Sequence, residues 1–88
     1  MASVIIPALL RKLTGGRERV AVEGRNLREV IANLDAQFPG LSDQLIEGDD
    51  LKPSVAVSID GEVGAGGLLE PVRADSEIHF LPAIGGGA

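Results

Sequence analysis

NLREVIANLDAQF, residues 26–38, is the longest stretch of the chain with a helical repeat of apolar side chains. Leu27, Val30, Ile31, Leu34 and Phe38 recur three or four residues apart, which puts them on one face of a helix. Arg28, Glu29, Asn33 and Asp35 fall on the other faces. Asn26 stands at the N-cap, with Glu29 three residues later in capping-box position, and Pro39-Gly40 stops the helix. Each large apolar side chain contributes about 1.5–3 kcal/mol when buried. A helix carrying five of them is therefore the expected lid of the core.

The segments on either side have the two-residue repeat of strands. RERVAV, Arg17 to Val22, alternates charged and apolar residues, and SVIIPALL, Ser3 to Leu10, is β-branched at its start with Pro7 as an irregularity. With the turn Thr14-Gly15-Gly16 between them, these two read as antiparallel neighbours. On the other side, Leu41 to Lys52 has a weaker pattern, with a short helical turn at Ser42–Ile46 and a loop at Gly48-Asp49-Asp50. SVAVSID, Ser54 to Asp60, alternates strictly, with Val55, Val57 and Ile59 on one face and Ser54, Ala56 and Ser58 on the other. Asp60-Gly61 is a hairpin signal. A glycine-rich segment follows Val63, and DSEIHFL, Asp75 to Leu81, is the last strand. Only one helix is long enough for a crossover, so a parallel βαβ fold is excluded. The pattern predicts an α+β chain of the β-grasp, ubiquitin-like kind. Its mixed sheet of four to five strands packs on one main helix, the C-terminal strand lies centrally, residues 1–82 form the domain, and residues 83–88 form a flexible Gly-rich tail.

Composition narrows the function. The 88 residues include no cysteine and two phenylalanines, with neither tryptophan nor tyrosine, so one aliphatic core must suffice without disulfides. The stacking platforms of single-strand nucleic-acid binders are missing. A net charge of −5 repels phosphate, which argues against nucleic acid or an anionic membrane surface and favours a basic protein partner. No apolar run approaches the roughly 20 residues of a spanning helix, and no signal-type leader is visible, so a cytoplasmic protein is expected.

Chemistry from side chains has little to work with. His79 is the sole histidine available to activate Ser3, Ser42, Ser54, Ser58 or Ser76, and it lies out of phase with Ile78 and Phe80. It reads as an outer-face residue and not a catalytic base. One histidine without cysteine makes no zinc site, and Asp49-Asp50 lacks the loop of a calcium site. Gly15-Gly16 and Gly64-Ala65-Gly66-Gly67 lack the Lys-Ser/Thr of a phosphate loop and read as turns. Gly85-Gly86-Gly87 differs, because it follows the last strand directly. From Pro82 to Gly87 the chain can extend about 20 Å at ~3.3 Å per residue, and its three glycines, having no side chains, fit a narrow channel. A frayed end is the alternative reading of the same residues.

The run Glu77-Ile78-His79-Phe80-Leu81-Pro82-Ala83-Ile84-Gly85-Gly86-Gly87 resembles the C-terminal signature of the MoaD/ThiS family of ubiquitin-like sulfur carriers. Ile6-Pro7-x-x-Leu10-Arg11-x-x-Thr14-Gly15-Gly16, the helix preceded by Gly24, and Asp60-Gly61 are similar to the CysO-type branch, which serves cysteine biosynthesis. The resemblance implies a carrier that supplies no catalytic side chain and binds no cofactor. An E1-like adenylyltransferase would use ATP to activate the carboxylate of Gly87, next to Gly86, and sulfur would then form a thiocarboxylate. The implied acceptor is a PLP-dependent cysteine synthase, with a JAMM-type metalloprotease releasing cysteine. Family members of the simplest kind end at Gly-Gly, whereas Ala88 follows here, so the resemblance also implies trimming of Ala88. Partner docking is expected beside the tail, at Leu81, Pro82, Ile84 and the outward Ala56 and Ser58. A molybdopterin synthase small subunit, a sulfur donor for another metabolite, a ubiquitin-like modifier and a non-covalent adaptor are the alternatives. A monomer in transient complexes is the simplest expectation for a diffusing carrier.

Overall fold

The helix expected from the apolar repeat forms as α1 (Leu27–Gln37), with Leu27, Val30, Ile31 and Leu34 fully buried and Phe38 half-buried at its end. The computed structural model describes residues 1–64 and 66–82. Asn26 caps α1 by accepting the Glu29 N–H on Oδ1 at 2.9 Å. The return bond goes one residue further back than a capping box requires, with Glu29 Oε1 accepting from Arg25 N–H at 3.0 Å. The Leu27 N–H donates to the Glu70 carbonyl, so the first turn is satisfied from outside the helix as well. Gly24 lies where the chain passes against α1, and a Cβ there would sit 2.7 Å from the Val30 nitrogen.

Five strands form the main sheet: β1 (Ala2–Ile5), β2 (Arg19–Val22), β5 (Val55–Ile59), β6 (Glu62–Val63) and β7 (Glu77–Pro82), in the order β2-β1-β7-β5-β6. As expected, β1 and β2 are antiparallel neighbours and the C-terminal strand is central, parallel to β1 and antiparallel to β5. Alternation decides the faces. Val4, Val20, Val22, Val57, Ile78 and Phe80 are buried with the apolar stripe of α1, while Ser3, Arg19, Ala21 and His79 lie out of phase with them. Asp60 and Gly61 make the two-residue turn from β5 to β6 with φ of 53° and 87°, the left-handed pair that hairpin twist requires.

Several boundaries differ from the sequence reading. The first strand stops at Ile5, and Ala8–Thr14 is a 3-10 helix where a strand was expected to run to Leu10. Proline has no N–H for a ladder, and the Leu10 N–H turns back to the Pro7 carbonyl at 2.9 Å while Arg11 Nε donates to the Ile6 carbonyl at 3.2 Å. The second strand begins at Arg19, because the Arg17 N–H is still held by the Thr14 carbonyl. α2 (Leu41–Leu45) is the expected short helix, but Asp50 belongs to a strand. β3 (Ile46–Glu47) and β4 (Asp50–Leu51) pair as a small separate hairpin around Gly48-Asp49. The last strand starts at Glu77, since Ser76 is held in a turn: its N–H donates to the Arg73 carbonyl and its Oγ accepts from Arg73 N–H at 2.9 Å.

Candidate functional site

The candidate site is the end of β7, and its position follows from how that strand is anchored. At its start, Asp60 Oδ1 accepts the Glu77 N–H and Oδ2 accepts the Ser76 hydroxyl, each at 2.9 Å, while the Asp60 N–H donates to the Glu77 carbonyl. The Glu77 N–H, then the Ser76 hydroxyl and more weakly the Arg73 charge, hold the Asp60 carboxyl below the ordinary carboxylate range against the opposing effect of burial. Along the strand, Ile78 and Phe80 insert into the core at 0% and 6% exposure, with Val4 and Ile59 beside Ile78 and Val57 beside Phe80. Flanked by two strands and pinned below, β7 delivers Pro82, opposite Val55, as the last described residue.

On the outer face, Glu77 is shared by two donors. His79 Nε2 lies 2.7 Å from its Oε1, and Arg19 Nη1 lies 3.3 Å from its Oε2. The His79 hydrogen bond, then that of Arg19, lowers the Glu77 pKa. His79 thus has the outer position read from its phase, engaged with a carboxylate and with no serine hydroxyl among its hydrogen-bond partners. Among the described residues, no group of three or more His, Asp or Glu side chains is close enough to hold a metal ion.

Of the expected docking residues, Leu81 is 40% exposed on the outer face and pairs with the half-buried Ala56. Ser58 departs from the expectation. It lies out of phase with the buried Val57, yet it is only 9% exposed, because His79 and Val63 stand directly opposite it on the two neighbouring strands. A serine hydroxyl so enclosed cannot serve as an open docking residue. Ile84, Gly85, Gly86, Gly87 and Ala88 lie outside the described residues.

The sequence reading missed a groove beside Leu81. A cavity of about 500 Å³ is lined by Pro7, Leu9, Leu10 and Leu13 at the 3-10 helix, by Leu45 of α2, and by Phe80 and Leu81 of β7. The spacing of Leu9, Leu10 and Leu13 after Pro7 was the available signal for a helical turn there.

A mixed sheet folded over one helix, with a central C-terminal strand that ends just before a glycine run, defines a ubiquitin-like β-grasp protein. The chain belongs to the ThiS family, whose family model matches residues 4–87. It is 32% identical to the sulfur carrier protein CysO of Mycobacterium tuberculosis, over 97% of each chain. The crystal structure of that CysO superposes with a TM-score of 0.88 at 30% identity, covering 96% of this chain and 100% of the other. The Amycolatopsis orientalis BexX/CysO complex contains a chain similar at TM-score 0.91 and 28% identity, covering 96% and 97%. The Mycobacterium tuberculosis relative is named a sulfur carrier protein and not an enzyme.

Proposed function

We propose that this protein is a sulfur carrier of the CysO type, whose reactive group is the α-carboxylate of Gly87 after removal of Ala88. The observation that supports this best is the family match running to residue 87, past the β7 terminus and through the glycine run. A terminal carboxylate ionises at about pH 3.5 and is a poor electrophile at neutral pH. Adenylation overcomes this: a carboxylate oxygen attacks the α-phosphorus of ATP, pyrophosphate leaves, and a sulfur nucleophile then displaces AMP from the acyl carbon to give the thiocarboxylate.

The chain's own part is presentation. Phe80 and Ile78 fix the strand, Asp60 fixes its register, and the small tail residues pass into an E1-like adenylyltransferase. The same tail then enters a sulfur-accepting enzyme, of which a PLP-dependent cysteine synthase is the favoured kind, and a JAMM-type metalloprotease is the candidate for both trimming Ala88 and releasing product. The test is intact mass spectrometry of protein purified from its own cells without added thiol. Loss of Ala88, with one oxygen exchanged for sulfur, supports the reading. An unprocessed Ala88 terminus in every molecule overturns it.

A further inference from the structure

The sheet order leaves β2 at an edge, and a free edge is a template on which another strand can pair. The Ile6 N–H donates to the Glu18 carbonyl. With the β1–β2 register, Val20 and Val22 then turn their backbone groups towards β1, while Arg19, Ala21 and Glu23 turn theirs outward. Two exposed amides on α1 reach across this edge. Asn33 Nδ2 donates to the Glu23 carbonyl at 2.8 Å, and Gln37 Nε2 donates to the Ala21 carbonyl at 3.4 Å. The two spacings match: four helical residues rise about 6 Å, and two strand residues span about 6.6 Å. Neither amide belongs to the buried stripe of α1, so core packing does not account for them.

We infer that Asn33 and Gln37 close the β2 edge against pairing with a second copy of this chain. The inference goes beyond the carrier reading and stands independently of it. Self-complementarity identifies the occupant. An antiparallel pairing of β2 with itself, centred on Ala21, matches outward backbone groups with outward ones. It also sets the exposed Arg19 opposite the exposed Glu23 of the second copy, twice by symmetry. Arg19 touches Glu77 at 3.3 Å, and its five N–H donors leave room for a second carboxylate. Pairing over residues 19–23 alone is smaller than a standard interface of about 1,600 Å². Such a contact is weak, so the two hydrogen bonds that each copy must first break decide whether it forms.

The test is sedimentation equilibrium of the full chain at about 0.15 M salt, where a Debye length of about 8 Å screens the charge of each copy. Wild type is expected to stay monomeric where Asn33→Ala/Gln37→Ala dimerises, a gain in association on the order of tenfold or more. Asn33→Ala alone, which removes the shorter bond, should move the same way by less. Adding Glu23→Arg to the double variant places arginine opposite arginine and should restore the monomer. Amide hydrogen exchange locates the contact, since the Ala21 N–H should gain protection in the double variant and lose it again in the triple. Melts check that every variant is folded, as expected for exposed positions. Folded variants that stay monomeric overturn the guard, and so does a wild-type dimer protected at Ala21. A dimer that survives Glu23→Arg, or leaves Ala21 exchange unchanged, overturns β2 as the pairing edge.

Discussion

Phe80 and Leu81 are adjacent on β7, face opposite ways, and should respond very differently to truncation. Phe80 is 6% exposed and inserts between the sheet and α1, whereas Leu81 is 40% exposed on the outer face. Removing a buried phenylalanine side chain costs about 3–5 kcal/mol. Complete burial of a leucine is worth about 1.5–3 kcal/mol, and with somewhat over half of Leu81 covered its truncation costs at most about 1–2 kcal/mol. An 88-residue domain has roughly 4–13 kcal/mol of stability at typical values per residue, so Phe80→Ala removes a large share of the total. At about 4–8 °C per kcal/mol for a domain of this size, Phe80→Ala lowers Tm by roughly 12–40 °C and Leu81→Ala by less than about 16 °C. Calorimetry on the two variants, with urea titration at 25 °C to obtain free energies, reads this directly. Equal losses, or a larger loss for Leu81→Ala, would mean that the faces of β7 are assigned the wrong way round.

Other perturbations follow from the same geometry. Leu81→Glu should weaken activation by the adenylating enzyme far more than it lowers Tm, measured by exchange kinetics beside a melt. Asn26→Ala removes the cap on α1 and should cost about 1 kcal/mol in urea denaturation. Gly24→Ala places a methyl group 2.7 Å from the Val30 nitrogen and should lower stability by about 1–3 kcal/mol, as overpacking does. Asp60 and Glu77 have folded-state pKa values below their ordinary ones, so their contribution is complete above the unfolded carboxylate range and lost as pH falls through the lowered folded values. A Tm-versus-pH series should show that acid loss in the wild type and a shallower acid limb in Asp60→Asn.

Most of the architecture was legible because its signals are local. The apolar spacing from Leu27 to Phe38 specifies α1, strict alternation at Val55, Val57 and Ile59 specifies a strand, and Asp60-Gly61 specifies the turn after it. Boundaries were less legible where a competing partner lies far away in sequence. Ile6 still donates to Glu18 while Leu10 turns back to Pro7, so strand and 3-10 helix meet within a segment that is apolar throughout. The hairpin at Ile46–Leu51 was missed for a related reason: two-residue strands carry too little periodicity to register.

The sequence by itself determined one helix with a single apolar face, strands of alternating pattern around it, and a run of three glycines, Gly85-Gly86-Gly87, after the last strand. Periodicity and turn chemistry are written in neighbouring residues, so they need no three-dimensional information. Tertiary structure decided which side chains stand open around β7. Ser58 and Leu81 have the same phase relative to the core, yet one is enclosed by His79 and Val63 and the other is exposed. It also decided that Leu9, Leu45 and Phe80 share a groove. Accessibility and concavity depend on what distant segments bring to a surface, and no repeat along the chain encodes that.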